Sequence, residues 1–226
     1  MTVLYYRLRL DAVLVKNERS FYDRVMPRVT QEHSAARRQQ ILDAARACFL
    51  RDGFHQTSMQ DIQREAGLSA GAIYLYFKSK NEIILGIALQ ILETVGEVIP
   101  EHPVVEGALR DLPGIVRLFL GTAENLDRER QIFPLAIQIW AEAVRDPVML
   151  ESLKASIMDL KRRVQRLVED CQERGLVRPE VDPAGLAMAI IGLGQGFIVQ
   201  RTLLGESARA PYLAGVDALL ANAAPG

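Results

Sequence analysis

The chain has little with which to build a metal centre or a disulfide framework. Its 226 residues include two cysteines and three histidines. Cys48 and Cys171 lie far apart, and neither sits in a CxxC or Cys/His spacing, so a zinc site and a structural disulfide are both excluded as expectations. A reducing cytoplasm fits such a composition. Also lacking are HExxH, a glycine-rich phosphate loop and GxSxG. His33, His55 and His102 fall in or near predicted loops with no nucleophile or metal partner beside them. Neither an enzyme nor a cofactor or metal is expected. Long apolar runs are scarce too. The longest, residues 184–199, falls short of a span and is broken by Gln195 and several glycines, so no membrane helix is expected. The opening MTVLYYRLRLDAVLV is interrupted by Arg7, Arg9 and Asp11 and has no small-residue cleavage pattern, which argues against a signal peptide. No stretch alternates with period two for long enough to make a strand.

What is present is apolar bulk: hydrophobic residues make up 49% of the chain, enough for a proper core. The formal net charge of −1 argues at first against a nucleic-acid partner. That average hides an asymmetry, because residues 1–85 carry an excess of four basic groups while residues 86–226 carry an excess of five acidic ones. Only the N-terminal part therefore has the sign that phosphate binding requires.

The helical period begins at Ser34, where Ile41, Leu42, Ala45, Cys48 and Phe49 share one face. Gly53 stops it. A second helix starts at Thr57 or Ser58, with Asp61 as the capping-box acid and Met59, Ile62 and Ala66 inward, and ends at Gly67. Gly67-Leu68-Ser69 form a turn, and Ser69 caps a short third helix over residues 70–77. Ser79 to Glu82 read as another capping box, opening a fourth helix with Ile83, Ile84, Ile87, Ile91 and Val95 on its apolar side. Further helices are expected at 104–125, bent at Pro113-Gly114, then at 131–145, 147–174, 183–204 and 209–222. Prolines 100, 103, 134, 147, 179, 183 and 211 fall at or near these limits. The expected fold is all-α, with about nine helices: a flexible N-terminal extension over 1–29, the protein's natural start being expected near Met26, a three-helix helix-turn-helix domain over 30–79 and a helical domain over 80–226.

Two short helices joined by a three-residue glycine turn have the geometry of a helix-turn-helix, whose second helix enters the major groove. Tyr74 and Tyr76 offer hydroxyls to phosphate oxygens. Thr57 and Ser58 place hydroxyls and N–H groups at a helix start, which suits an anion. Lys80 adds a charge, and Arg37 and Arg38 can reach the adjacent backbone or the minor groove. The base-reading face is left to Ala70, Gly71, Ala72 and Leu75, with Gln63 and Arg64 beside it. It is poor in bidentate side chains, so methyl contacts and shape readout are expected.

The run Thr57-Ser58, Asp61-Ile62, Glu65-Ala66-Gly67-Leu68-Ser69, Gly71, Ile73-Tyr74, Tyr76-Phe77-Lys78, Lys80 and Glu82 resembles the DNA-binding signature of the tetracycline-repressor (TetR) family. With the helix from Ser34 it covers about the first third of the ordered chain. The resemblance implies a homodimeric repressor on a pseudo-palindromic DNA operator, released by a small effector, and it supports the phosphate role of Lys80. Gln63, Ala70 and Leu75 depart from the usual family pattern, which leaves the operator sequence open. A helical enzyme or carrier containing such a hairpin is the alternative, and an activator or nucleoid protein would share the DNA contacts.

In the second domain, Gly185, Ala189, Gly192 and Gly196 draw a small-residue stripe expected to pack against a second copy, as the resemblance implies; packing inside the monomer is the alternative. Phe133, Ile137, Trp140 and Val144 form an apolar stripe. With Phe119 and Met158 they are candidates to line an apolar effector cavity, and Gln138, Glu142 and Gln195 are candidate polar tethers. The segment 133–147 also resembles the effector domain of one branch of the family. The fourth helix joins both domains covalently and is expected to tilt when the cavity fills.

Overall fold

The computed structural model describes residues 28–99 and 112–221. Nine α-helices stand among them: α1 (Arg28–Asp52), α2 (Met59–Ala66), α3 (Ala70–Tyr76), α4 (Lys80–Val98), α5 (Leu112–Arg130), α6 (Ile132–Ala143), α7 (Pro147–Glu173), α8 (Pro183–Leu204) and α9 (Arg209–Ala221), with a 3-10 turn (Gly205–Ala208) between the last two. No strand occurs among the described residues. The all-α expectation holds. The chain divides into two compact units, Met1–Gln40 and Ile41–Gly226. The proposed extension over residues 1–29 lies almost wholly outside the described residues, as does the expected helical stretch over residues 104–111.

Helix starts follow local chemistry. Ser58 and Asp61 close a reciprocal capping box at α2. Ser69 accepts the Ala72 N–H at α3. At α4 the box is only half reciprocal, because Ser79 accepts the Glu82 N–H while the Glu82 carboxylate reaches back one residue further, to the Lys78 N–H. Asp146 and Asp182 cap α7 and α8, each followed by proline at the first helical position, where no intrahelical N–H is needed. Hydrogen bonds from Asn81 and from the Met149 and Val148 N–H groups hold the Asp146 carboxyl below its ordinary range.

The fifth helix differs from its expectation. Its described part, Leu112–Arg130, runs five residues past the expected end, while the bend expected at Pro113-Gly114 falls at the edge of the described residues. It ends at Gln131, whose φ of 50° is left-handed, the one such non-glycine residue among those described. The next N–H, that of Ile132, has no side-chain cap at Gln131, while the Asp127 carboxylate accepts the Phe133 N–H at 2.8 Å. Left-handed backbone costs an L-residue about 1–2 kcal/mol. Replacing Gln131 with glycine is therefore expected to stabilise the fold by about 0.5–1 kcal/mol, read as a higher urea midpoint at unchanged slope.

Two cores result. In the first, Ile41, Leu42, Ala45, Cys48, Phe49, Ile62, Ile73, Phe77, Ile83, Ile84 and Ile87 bury together with Leu135, Ile139 and Ala143 of α6 and Met149 and Leu153 of α7. The second is built from α5, the start of α6, the later half of α7, α8 and α9. Helix α6 thus contributes to both.

Candidate nucleic-acid interface and internal cavity

Gly67 sets the angle between α2 and α3. Its φ of 63° is favourable only for glycine, and its N–H bonds the Arg64 and Gln63 carbonyls, ending α2 at once. Helix α3 then buries Ile73, with Phe77 following it, and turns the rest outward: Tyr74 is 45% exposed and Leu75 74%. Ala70 and Gly71 are exposed with them, Ala72 is half-buried, and Tyr76 packs partly against the first core. One face of this short helix is therefore fixed by packing and the other is open.

Three expected phosphate contacts have other partners in the structure. Thr57 is buried, and its hydroxyl donates to the Gly53 carbonyl at 2.8 Å. The Ser58 hydroxyl donates to the Asp61 carboxylate at 2.5 Å and accepts the Asp61 N–H; that hydroxyl and the Ser58 backbone N–H, both donating to the carboxylate, hold it below its ordinary range. Lys80 differs most. Its ammonium lies 4.3 Å from the centre of the Phe54 ring and donates to the carbonyls of Phe54 at 2.5 Å and Thr57 at 2.7 Å. Burial lowers its pKa, with Glu142 opposing the shift. In the chain without DNA these groups fix the loop between α1 and α2. Lys78, left without a role by sequence reasoning, is exposed at the end of α3, its ammonium 2.6 Å from the Tyr74 carbonyl. In the first compact unit, Arg37 donates to Gln40 at 2.8 Å.

A cavity of about 90 Å³ lies among α4 to α8. Phe119, Trp140 and Gln195 line it. Phe133, Ile137 and Met158 do not. Phe133 is buried edge-to-face against Phe197, their centroids 6.0 Å apart, and Met158 is 40% exposed. On α7 the lining residues are Leu153, Ile157 and Leu160, so Met158 points at least about 100° away from them; on α6 Phe133 shares a face with the lining residue Trp140 but stands two turns before it, where Phe197 takes its ring. Helix α4 adds Ala88, Ile91, Leu92 and Val95, a wall foreshadowed by its apolar period. Of the expected tethers, Gln138 and Glu142 turn away from the cavity. Gln138 accepts the Phe54 N–H at 3.0 Å, and Glu142 lies 3.0 Å from His55.

The small-residue stripe on α8 divides. Gly185, Ala189 and Gly192 are exposed, and open space surrounds Gly192. Gly196 has an intrachain neighbour instead: a Cβ there would stand 2.8 Å from the Tyr212 hydroxyl, which donates to the Leu193 carbonyl. The segment Pro183–Ala221, which contains the run 184–199, is long and apolar enough to cross a membrane by length and composition. Yet Arg201 and Arg209 within it both bind Glu124, which is 3% exposed, tying α8 and α9 to α5.

An outward, side-chain-poor helix held by a glycine turn, on an all-helical body with an apolar cavity, defines a helix-turn-helix regulator of the two-domain type. Residues 41–87 match the model for bacterial regulatory proteins of the tetR family, and residues 115–225 match that for the C-terminal part of BetI-type transcriptional repressors. The chain belongs to the TetR family of transcriptional regulators, which are DNA-binding proteins and not enzymes. An HTH-type transcriptional repressor of Mycobacterium tuberculosis is 32% identical over 119 residues, 52% of this chain and 63%, somewhat under two thirds, of that relative. The regulator UidR of Escherichia coli is 26% identical over 84% of this chain and 94% of its own. Among solved structures, Salmonella enterica GusR superposes with a TM-score of 0.71 at 25% identity, covering 83% of this chain and 94% of GusR. A SmeT–triclosan complex shares the fold, with a TM-score of 0.62 at 23% identity over 81% of this chain and 91% of SmeT.

Proposed function

We propose that this protein is a homodimeric repressor in the cytoplasm that binds a pseudo-palindromic operator and leaves it when an uncharged, largely apolar molecule occupies the cavity. The observation that carries the reading is the outward face of α3, where Ala70, Gly71, Tyr74 and Leu75 stand clear of the first core. Such a face meets a major groove through methyl groups and backbone, while Tyr74 and Lys78 face phosphates. The exposed part of α8, from Gly185 through Met188 and Gly192, is the seam for the second copy. It sets two recognition helices about one DNA turn, roughly 34–36 Å, apart.

The cavity supports the effector assignment by its chemistry. Aliphatic and aromatic side chains line it almost throughout, and Trp140 and Gln195 supply the few hydrogen-bonding groups. Its volume is below the roughly 150 Å³ of a cavity that takes benzene. A larger occupant must part the helices, and that need couples binding to shape. SmeT, of the same fold, was solved with triclosan.

The test is fluorescence anisotropy on a duplex selected from random sequence, at several salt concentrations. The selected duplex is expected to bind at least about 10³ more tightly than random DNA. Lys78→Ala should reduce the slope of log K against log salt by about one, and Tyr74→Ala should weaken binding roughly tenfold without changing that slope. Equal affinity for selected and random duplex would refute the operator reading.

A further inference from the structure

We infer that the Gln138 side chain is the positioning residue that carries occupancy of the cavity to the helix-turn-helix, through the turn between α1 and α2. The inference rests on the effector reading above and names its route. Ala136, Ile139 and Trp140 of α6 face the cavity. One residue around the same helix, Gln138 reaches into the DNA-binding part, where its carbonyl accepts the Phe54 N–H at 3.0 Å and its amide donates to the Phe49 carbonyl at 3.4 Å. Those two backbone groups flank Gly53, so one side chain clamps both sides of the turn. The turn in turn holds the start of α2: the Gly53 carbonyl accepts both the Thr57 N–H and the Thr57 hydroxyl, and Lys80 binds the Phe54 and Thr57 carbonyls.

The mechanics follow from rigidity. A 12-residue helix moves as a unit, so displacement of its cavity face displaces Gln138 by a similar amount. Its entry at Gln131 is a left-handed joint without a side-chain cap, the one place where the α5–α6 connection is already strained. Two neighbouring contacts, His55 with Glu142 at 3.0 Å and Asn81 with Asp146 at 2.8 Å, run between the same regions, but His55 is 70% exposed and the Asn81 pair lies at the surface, where water replaces what is lost. The Gln138 clamp is partly buried and directional. A tilt of α4 acts through the covalent chain, whereas this route acts through hydrogen bonds and is removable by one substitution.

A double-mutant cycle tests it without an identified effector. Ala136→Met fills the cavity from α6 itself and is expected to weaken binding to the selected duplex at least tenfold. In a Gln138→Leu background the same substitution should change affinity less than twofold. Gln138→Glu keeps the acceptor for Phe54 and loses the donor to Phe49, so it should give an intermediate ratio, which a role in folding alone would not produce. It also serves if Gln138→Leu melts early. Hydrogen exchange at the Phe54 amide should quicken at least tenfold in Ala136→Met. The same Ala136→Met ratio in both Gln138 backgrounds, or an unchanged Phe54 exchange rate, overturns the route. No loss of DNA binding in Ala136→Met with Gln138 intact counts against the effector reading itself, and the clamp falls with it.

Discussion

Glu124→Ala lowers the melting temperature by roughly 6–20 °C, following a loss of about 3–5 kcal/mol for one partner removed from a buried ion pair. Glu124 is 3% exposed and receives Arg201 on one oxygen, at 3.1 Å, and Arg209 on the other, at 2.7 Å, with Arg128 3.7 Å away. The arginines do not lose equally. Arg209 is 44% exposed and Arg128 60%, so both turn into solvent at little cost. Arg201 is 8% exposed, and although Glu206 remains 2.6 Å away, its Nε loses the carboxylate that faced it. The buried, half-paired guanidinium carries most of the penalty. Removing both charges together, as Glu124→Met with Arg201→Met, is expected to recover most of the stability because no charge is left stranded. Thermal melts of the three proteins decide the matter, and a Glu124→Ala melt within 2 °C of the parent, by the same ~2–4 °C per kcal/mol, would mean that the pair is effectively solvated. The network also holds α9 against α8, beside the face proposed as the seam, so weakened dimerisation should accompany the early melt.

The helix-turn-helix was legible because its information is local. Ser58 with Asp61, Gly67 in the turn and Ser69 before α3 are caps and stops that act within four residues, and the structure uses each as its spacing implies. Less legible were side chains with two possible destinations: Thr57 and Lys80 carry donors that suit phosphate, and nothing in the sequence says that carbonyls within the loop also take them. Lys80 lies 26 residues from one of its acceptors, beyond the reach of any spacing rule.

The cavity wall was legible by element and not by residue. Helix α6 buries Ile132, Phe133, Leu135, Ala136, Ile139 and Ala143, nearly all round, because it serves both cores. An apolar pattern on every side carries no phase, so Phe133 and Ile137 could not be separated from Ala136 and Trp140. Gln138 was legible as a polar residue on an apolar helix, but its direction was set by Phe49 at the end of α1 and Phe54 in the loop after it, 89 and 84 residues before it. On α8 the glycine stripe mixed two purposes: Gly196 leaves room for Tyr212, whereas Gly192 meets nothing within its own chain.

Gly71 is another glycine with no intrachain reason, and it gives an expected result of opposite signs. It lies inside α3 with ordinary helical backbone, and a Cβ there would meet no atom within 4 Å. Glycine inside a helix costs about 0.8–1.0 kcal/mol relative to alanine, and leucine is nearly as favourable as alanine. Gly71→Leu should therefore raise stability by roughly 0.7–1 kcal/mol. If α3 lies in the groove with its backbone close to the DNA, the same side chain stands where the duplex must approach. The cost is then on the order of 1–3 kcal/mol, a roughly 5- to 150-fold weaker complex with the selected duplex. Destabilised variants lose both properties together and variants remote from DNA lose neither, so a higher urea midpoint combined with weaker binding isolates contact as the cause. Binding as tight as the parent's would instead place the Gly71 backbone away from the groove, leaving Tyr74 and Leu75 to account for docking by themselves.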